Sequence, residues 1–155
     1  MYTLVIIDMQ PFFPSSGVKK VQEVVVKEIA KCKQNEWPIV LVETKGVSRT
    51  RQVIRDALKD YPKCFLVKKG QDDGSEEIHT VVQKVTRSKR IRVVGVNTDQ
   101  CVYETVRGLH YTYGYHVTVN ARGCNSSSPK FGLYLLSTLP VLVVGKLKNL
   151  DRYPQ

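Results

Sequence analysis

Cys101 stands where an apolar run, Val93-Val94-Gly95-Val96, breaks into the polar turn Asn97-Thr98-Asp99-Gln100 and passes straight into a helical segment. A thiol in the first turn of a helix lies beside unpaired backbone N–H groups and the positive end of the macrodipole, which favour thiolate over thiol. That is a place for a nucleophile. Two further reactive types close apolar runs: Asp8 after Leu4-Val5-Ile6-Ile7, and the pair Lys68-Lys69 after Phe65-Leu66-Val67. An ordinary thiol, with a pKa of about 8.5, needs a base, a cation or a helix terminus to attack a carbonyl carbon at neutral pH. A carboxylate, an ammonium and a thiol meet those needs if the three runs end on one edge of one sheet.

Positioning them falls to a chain that alternates short β-branched runs with longer amphipathic ones. Strands are predicted at 3–8, 39–43, 64–68, 91–96, 116–120 and 141–145, nearly continuous in apolar residues, as strands buried on both faces should be. Between the first two, 18–34 puts Val21, Val24, Val25, Ile29 and Cys32 on one helical face. Helices are also predicted at 50–59, at 75–87 with Ser75 as its cap, at 99–113 stopping before Gly114, and at 129–138, opened by Pro129 and closed before Pro140. The alternation predicts an α/β fold: a three-layer α/β/α, Rossmann-like doubly wound sheet of about six parallel strands, in one domain spanning 1–155. Ligands of such sheets gather beyond the carboxyl ends of the strands, where Asp8, Lys68, Lys69 and Cys101 all fall. No Gly-x-Gly-x-x-Gly or Walker-type lysine loop follows the first strand, so the usual nucleotide readings lack a phosphate cradle.

The formal charge of +10 invites a polyanion, yet the cations are scattered, and the densest group, around Arg87 to Arg92, sits at a predicted helix end where cations suit the dipole. Nucleic acid is therefore disfavoured as a partner. Tyr103, Tyr111, Tyr113 and Tyr115 are explained by helix packing and subunit contacts more simply than by base stacking. The four cysteines form no Cys-x-x-Cys pair, which argues for reduced thiols. With no membrane-length apolar stretch and no secretory leader after Met1, a cytoplasmic protein that does not engage membranes is expected.

The residues resemble the isochorismatase-like cysteine hydrolases, a family that includes nicotinamidases and N-carbamoyl amidases. Leu4-Val5-Ile6-Ile7-Asp8-Met9-Gln10 with Phe13 is similar to the family's opening strand, and Gly95-Val96-Asn97-Thr98-Asp99-Gln100-Cys101-Val102 to its nucleophile turn, the more specific of the two. The resemblance implies a triad in which Asp8 takes the thiol proton, a lysine holds charge between the two, and Cys101 attacks to form a thioester. It implies an oxyanion site built from backbone amides of Cys101 and of the Val96-Asn97-Thr98 turn, with a cis peptide at Val96–Asn97. Gln10 and Phe13 are expected to border the substrate pocket. Lys69 is preferred over Lys68, because successive strand residues face opposite ways and Lys69 stands at the family's spacing, four residues before the small or acidic position that opens the next helix.

Departures from the family pattern narrow the expectation. The metal-binding histidines of nicotinamidases have no counterpart between the second and third predicted strands; His79, His110 and His116 fall on two helices and a strand start. No metal and no cofactor are expected, and nicotinamide becomes a less favoured substrate. Retention of Cys101 points to C–N bonds of amides. The segment 44–63 is short beside the long excursion of many relatives, leaving the pocket open or completed by another subunit; the resemblance, to a family whose members are often dimers or larger assemblies, implies a homo-oligomer. The substrate is read as a small molecule, with an anion suggested by the basic charge, although Arg122 is read as a solvated side chain rather than a carboxylate receptor. The competing expectation is a non-catalytic binding or assembly protein that keeps the scaffold.

Overall fold

The computed structural model describes residues 1–145. Its first strand, β1 (Thr3–Ile7), is buried from end to end, because β-branched and leucine side chains give it two apolar faces. After a short 3-10 turn at Pro14–Gly17 the chain builds α1 (Lys19–Asn35), β2 (Ile39–Thr44), α2 (Gln52–Leu58), β3 (Cys64–Lys69), α3 (Ser75–Val85) and β4 (Arg90–Val96). A single π-turn, Thr98–Val102, leads into α4 (Tyr103–Tyr111), and then come β5 (His116–Asn125), α5 (Pro129–Ser137) and β6 (Leu142–Val144).

The six strands form one parallel sheet in the order β3-β2-β1-β4-β5-β6. The predicted doubly wound architecture is the one observed, and its winding reverses between β1 and β4. Residues of β1 alternate between two cores. Val5 and Ile7 pack with Val42, Val93 and residues of α3, α4 and α5 such as Val82, Val106 and Leu136. Leu4 and Ile6 pack with Leu41, Val94 and residues of α1 and α2 such as Ile29 and Ile54.

Differences from the sequence expectation lie at element ends, where tertiary contacts override local pattern. β5 runs on to Asn125, with a register shift opposite Val93 and Gly95 that absorbs the extra length. The predicted helix 99–113 is a π-turn followed by a shorter α-helix; Gly114, at φ 71°, closes it by donating to the His110 carbonyl. Ser75 is the first helical residue rather than the cap: Gly74 holds that position, and Asp73 Oδ1 accepts the Ser75 N–H at 2.8 Å.

One close approach controls the centre of the sheet. Gly95 has φ 134°, and a Cβ there would stand 2.2 Å from the Ile7 carbonyl oxygen and 2.6 Å from the Ile7 nitrogen. Only glycine lets β4 lie this close to the residue that precedes Asp8. Gly95→Ala is therefore expected to lose at least about 2 kcal/mol, from backbone strain and overlap together, read as a lower midpoint in thermal or urea unfolding. A midpoint equal to the parent's would show that the strands can move apart freely.

Candidate active site

Asp8 follows β1 directly, and its N–H continues the ladder by donating to the Val42 carbonyl at 3.0 Å. Its φ of 54° turns the chain out of the sheet, a conformation that aspartate tolerates better than most residues. β3 is not a neighbour of β1; β2 lies between, so an ammonium on β3 must cross the end of β2 to reach Asp8. In register, Thr44 at the end of β2 stands beside Lys69 at the end of β3. Strand alternation exposes Lys68 and buries Lys69, which is 1% accessible.

The three groups of interest meet around Lys69 Nζ. It lies 3.1 Å from Asp8 Oδ2, 3.2 Å from Thr44 Oγ1, 3.0 Å from the Gln71 carbonyl and 3.5 Å from Cys101 Sγ. Thr44 donates to Asp8 Oδ1 at 2.9 Å while accepting from the ammonium. Asp8 is 0% and Cys101 4% accessible, so the ion pair and the thiol beside it sit away from water.

Cys101 is carried by the π-turn. The Asn97 carbonyl accepts from the amides of Gln100 (3.0 Å) and Val102 (3.1 Å), which fixes the turn from inside. From outside α5 buttresses it: a Cβ at Gly132 would stand 2.7 Å from Thr98 Cβ. Val96 and Thr98 are buried. The burial of this thiol works against the sequence expectation of a poised thiolate. Burial first, then the Asp8 charge and its contact with the protonated thiol, push the Cys101 pKa up to about 12 against the opposing pull of Lys69; Asp72 adds to the rise. The direction of these influences favours the thiol over the thiolate.

Gln10, expected with Phe13 to border the substrate pocket, has its side-chain amide hydrogen-bonded to backbone. Gln10 Nε2 donates to the Thr44 carbonyl at 3.2 Å and to the Ser48 carbonyl, and Oε1 accepts the Thr44 N–H at 2.9 Å. The amide is used up in tying the end of β1 to the segment after β2. Phe13 packs against the core that contains Met9, with its ring edge-on to the exposed Phe12. The histidines are placed elsewhere: His79 Nδ1 meets the Tyr115 hydroxyl at 2.8 Å, His110 Nδ1 meets the Tyr115 carbonyl at 3.1 Å, and His116 starts β5. Among the described residues no group of three or more histidine, cysteine or acidic side chains is arranged to hold a metal ion.

Two residues that the sequence reading did not single out belong to the cluster. Thr44 bridges Asp8 and Lys69, and Asp72 Oδ1 lies 3.7 Å from Cys101 Sγ. The available signal for Thr44 was its place as the polar residue closing the run between the two that matter. Asp72 carried none, because its loop could not be oriented without the structure.

Residues 2–139 match the Isochorismatase domain, and the chain belongs to that family of hydrolases. Among solved structures, the nicotinamidase of Staphylococcus aureus shares the fold with a TM-score of 0.74 at 19% identity, covering 92% of this chain and 99% of its own. A pyrazinamidase/nicotinamidase of Streptococcus mutans gives 0.76 at 16% identity, with 93% and 100% covered. An isochorismatase of Pseudomonas putida gives 0.77 at 15%, with 92% and 86% covered. No curated protein matches the chain. Among the described residues no helix is long and apolar enough to cross a membrane.

Burial sets two pH dependences. It pushes Cys32 and Cys64 to about 11 and Cys124 to about 12, as it does Cys101. An unfolded thiol titrates near about 8.5, so the folded state holds these protons more tightly. Their contribution is complete below that value and is lost as pH rises towards 11 and 12. The melting temperature is expected to fall as pH is raised from 9 to 11, and a flat profile over that range would contradict the burial. Separately, alkylation of Cys101 by iodoacetamide should climb about tenfold per pH unit from 7 to 10, following the thiolate fraction. A plateau near neutral pH would mark a preformed thiolate instead.

Proposed function

We propose that the protein is a metal-independent cysteine amidohydrolase that cleaves a small amide or related C–N bond through a thioester on Cys101. One observation carries this reading: a thiol and a carboxylate from opposite sides of the sheet's switch point both lie within 3.5 Å of one buried ammonium nitrogen. A purely structural ion pair has no need of the thiol. Metal independence is supported by the sequence, which has no histidine between β2 and β3.

In this reading Asp8 is a general base that acts during attack, since the thiol is protonated at rest. Sγ adds to the carbonyl carbon as its proton passes to Asp8, and the carbonyl electron pair moves to oxygen. Backbone amides of the turn receive that charge; those of Gln100 and Val102 are already committed to Asn97, which leaves the others, that of Cys101 among them, for the oxyanion. The C–N bond breaks as Asp8 returns the proton to the leaving nitrogen. Water then gives a proton to Asp8 and adds to the thioester, the C–S bond breaks, and the thiol recovers its proton. Lys69 keeps its charge throughout and balances the carboxylate each time it is ionised. A cytoplasmic, homo-oligomeric protein is part of the same proposal, supported by four free cysteines and by Leu66 and Leu142, exposed on the outer strands.

Incubation with a panel of small amides and ureido compounds, followed by intact mass measurement, should reveal an acyl adduct on Cys101 that Cys101→Ala abolishes. Asp8→Asn should cut turnover by about 10²–10⁴-fold. The same variant should react faster with iodoacetamide, because a charge that holds the thiol protonated is gone. An unmodified Cys101 and no hydrolysis across the panel would overturn the proposal, and undiminished turnover in Asp8→Asn would remove Asp8 as the base.

A further inference from the structure

An ammonium has three N–H donors. Those of Lys69 are spoken for by Asp8 Oδ2, Thr44 Oγ1 and the Gln71 carbonyl, with Cys101 Sγ a fourth contact at 3.5 Å. The cation at the heart of the cluster therefore has nothing left for a carboxylate or phosphate on an incoming molecule. Acceptors, in contrast, are in surplus. Asp72 belongs to an exposed loop, yet its Oδ1 is 3.7 Å from the buried sulfur. The loop is held in place: Thr105 Oγ1 on α4 donates to the Asp72 carbonyl at 3.3 Å and accepts the Gly74 N–H at 3.0 Å.

The charge balance around Sγ is then two carboxylates against one ammonium. The thiol has one proton to offer, and once it has passed to Asp8 the negative sulfur faces Asp72 with no donor between them. We propose that Asp72 is a specificity-determining residue, and that the substrate of the Cys101 site is a small amide carrying a cationic nitrogen within two or three bonds of the scissile carbonyl. The cation supplies the missing donor to Asp72 at the moment the sulfur becomes nucleophilic. This reverses the expectation of an anionic substrate drawn from the net charge of +10. At 0.15 M salt, exposed charges farther away than about 8 Å are largely screened, so the contact carboxylate governs. The inference rests on the hydrolase reading above.

Two measurements test it and separate its failure from that of the hydrolase reading. The first needs no turnover: the resting protein is treated with 2-aminoethyl or 2-sulfonatoethyl methanethiosulfonate, and modification of Cys101 is followed by peptide mass, with the half-buried Cys64 as internal reference. The cationic reagent should be at least tenfold faster at Cys101 relative to Cys64, and Asp72→Asn should bring the ratio towards one. A ratio unmoved by Asp72→Asn overturns the proposal. The second compares glycinamide, propionamide and malonamate. Glycinamide should have the highest kcat/KM, and Asp72→Asn should lower the glycinamide-to-propionamide ratio of kcat/KM at least tenfold. Hydrolysis without charge preference would overturn the role of Asp72 and leave the hydrolase intact; absence of any acylation or hydrolysis would remove both.

Discussion

A buried carboxylate and a buried ammonium cannot be kept apart, and the pairing of Asp8 with Lys69 is the constraint on which the site depends. Each sits essentially without solvent at the end of a different strand, and the strands are not neighbours. Removing either partner would leave a bare charge, a change that typically costs about 3–5 kcal/mol. The pair therefore fastens the carboxyl ends of β1 and β3 across β2, with Thr44 as the hydroxyl that lets the ammonium reach over. One electrostatic bond thus serves both the cluster and the sheet, because the same charge pair orders the site and ties β3 to β1.

The second constraint is steric. Gly95 allows β4 to approach the end of β1 so closely that no side chain fits between them, and Cys101 arrives from that strand one turn later. A π-turn held by the Asn97 carbonyl and pressed from outside by α5 then sets the thiol at the ammonium. The sulfur is delivered by packing, while the carboxylate and the ammonium are delivered by charge. Packing also buries the sulfur, and that burial, with the Asp8 charge, raises the thiol's pKa against the pull of Lys69.

The parallel sheet, the succession of its strands and helices along the chain and the strand-end positions of Asp8 and Cys101 were legible in the sequence, because apolar runs there end on polar or reactive residues. Lys69 could be told from Lys68 by strand alternation together with family spacing. The ionisation of Cys101 was misread, since the helix terminus is visible in sequence and the desolvation that outweighs it is not. The partners of Gln10 were hidden for a related reason: the carbonyls of Thr44 and Ser48 that accept from its amide are distant in sequence. Asp72 and Thr44 were invisible as site residues because nothing local marks a side chain whose partners lie on other strands or helices.

β3 is the outermost strand on its side of the sheet, joined by backbone bonds only to β2. Marginal strands fray before central ones, through sub-global openings that leave the rest of the fold intact. Here such an opening would carry the Lys69 ammonium away from Asp8 and the sulfur while β1 and β4 stay paired. On warming, the charge cluster would thus come apart at the rim of the sheet before its centre gives way.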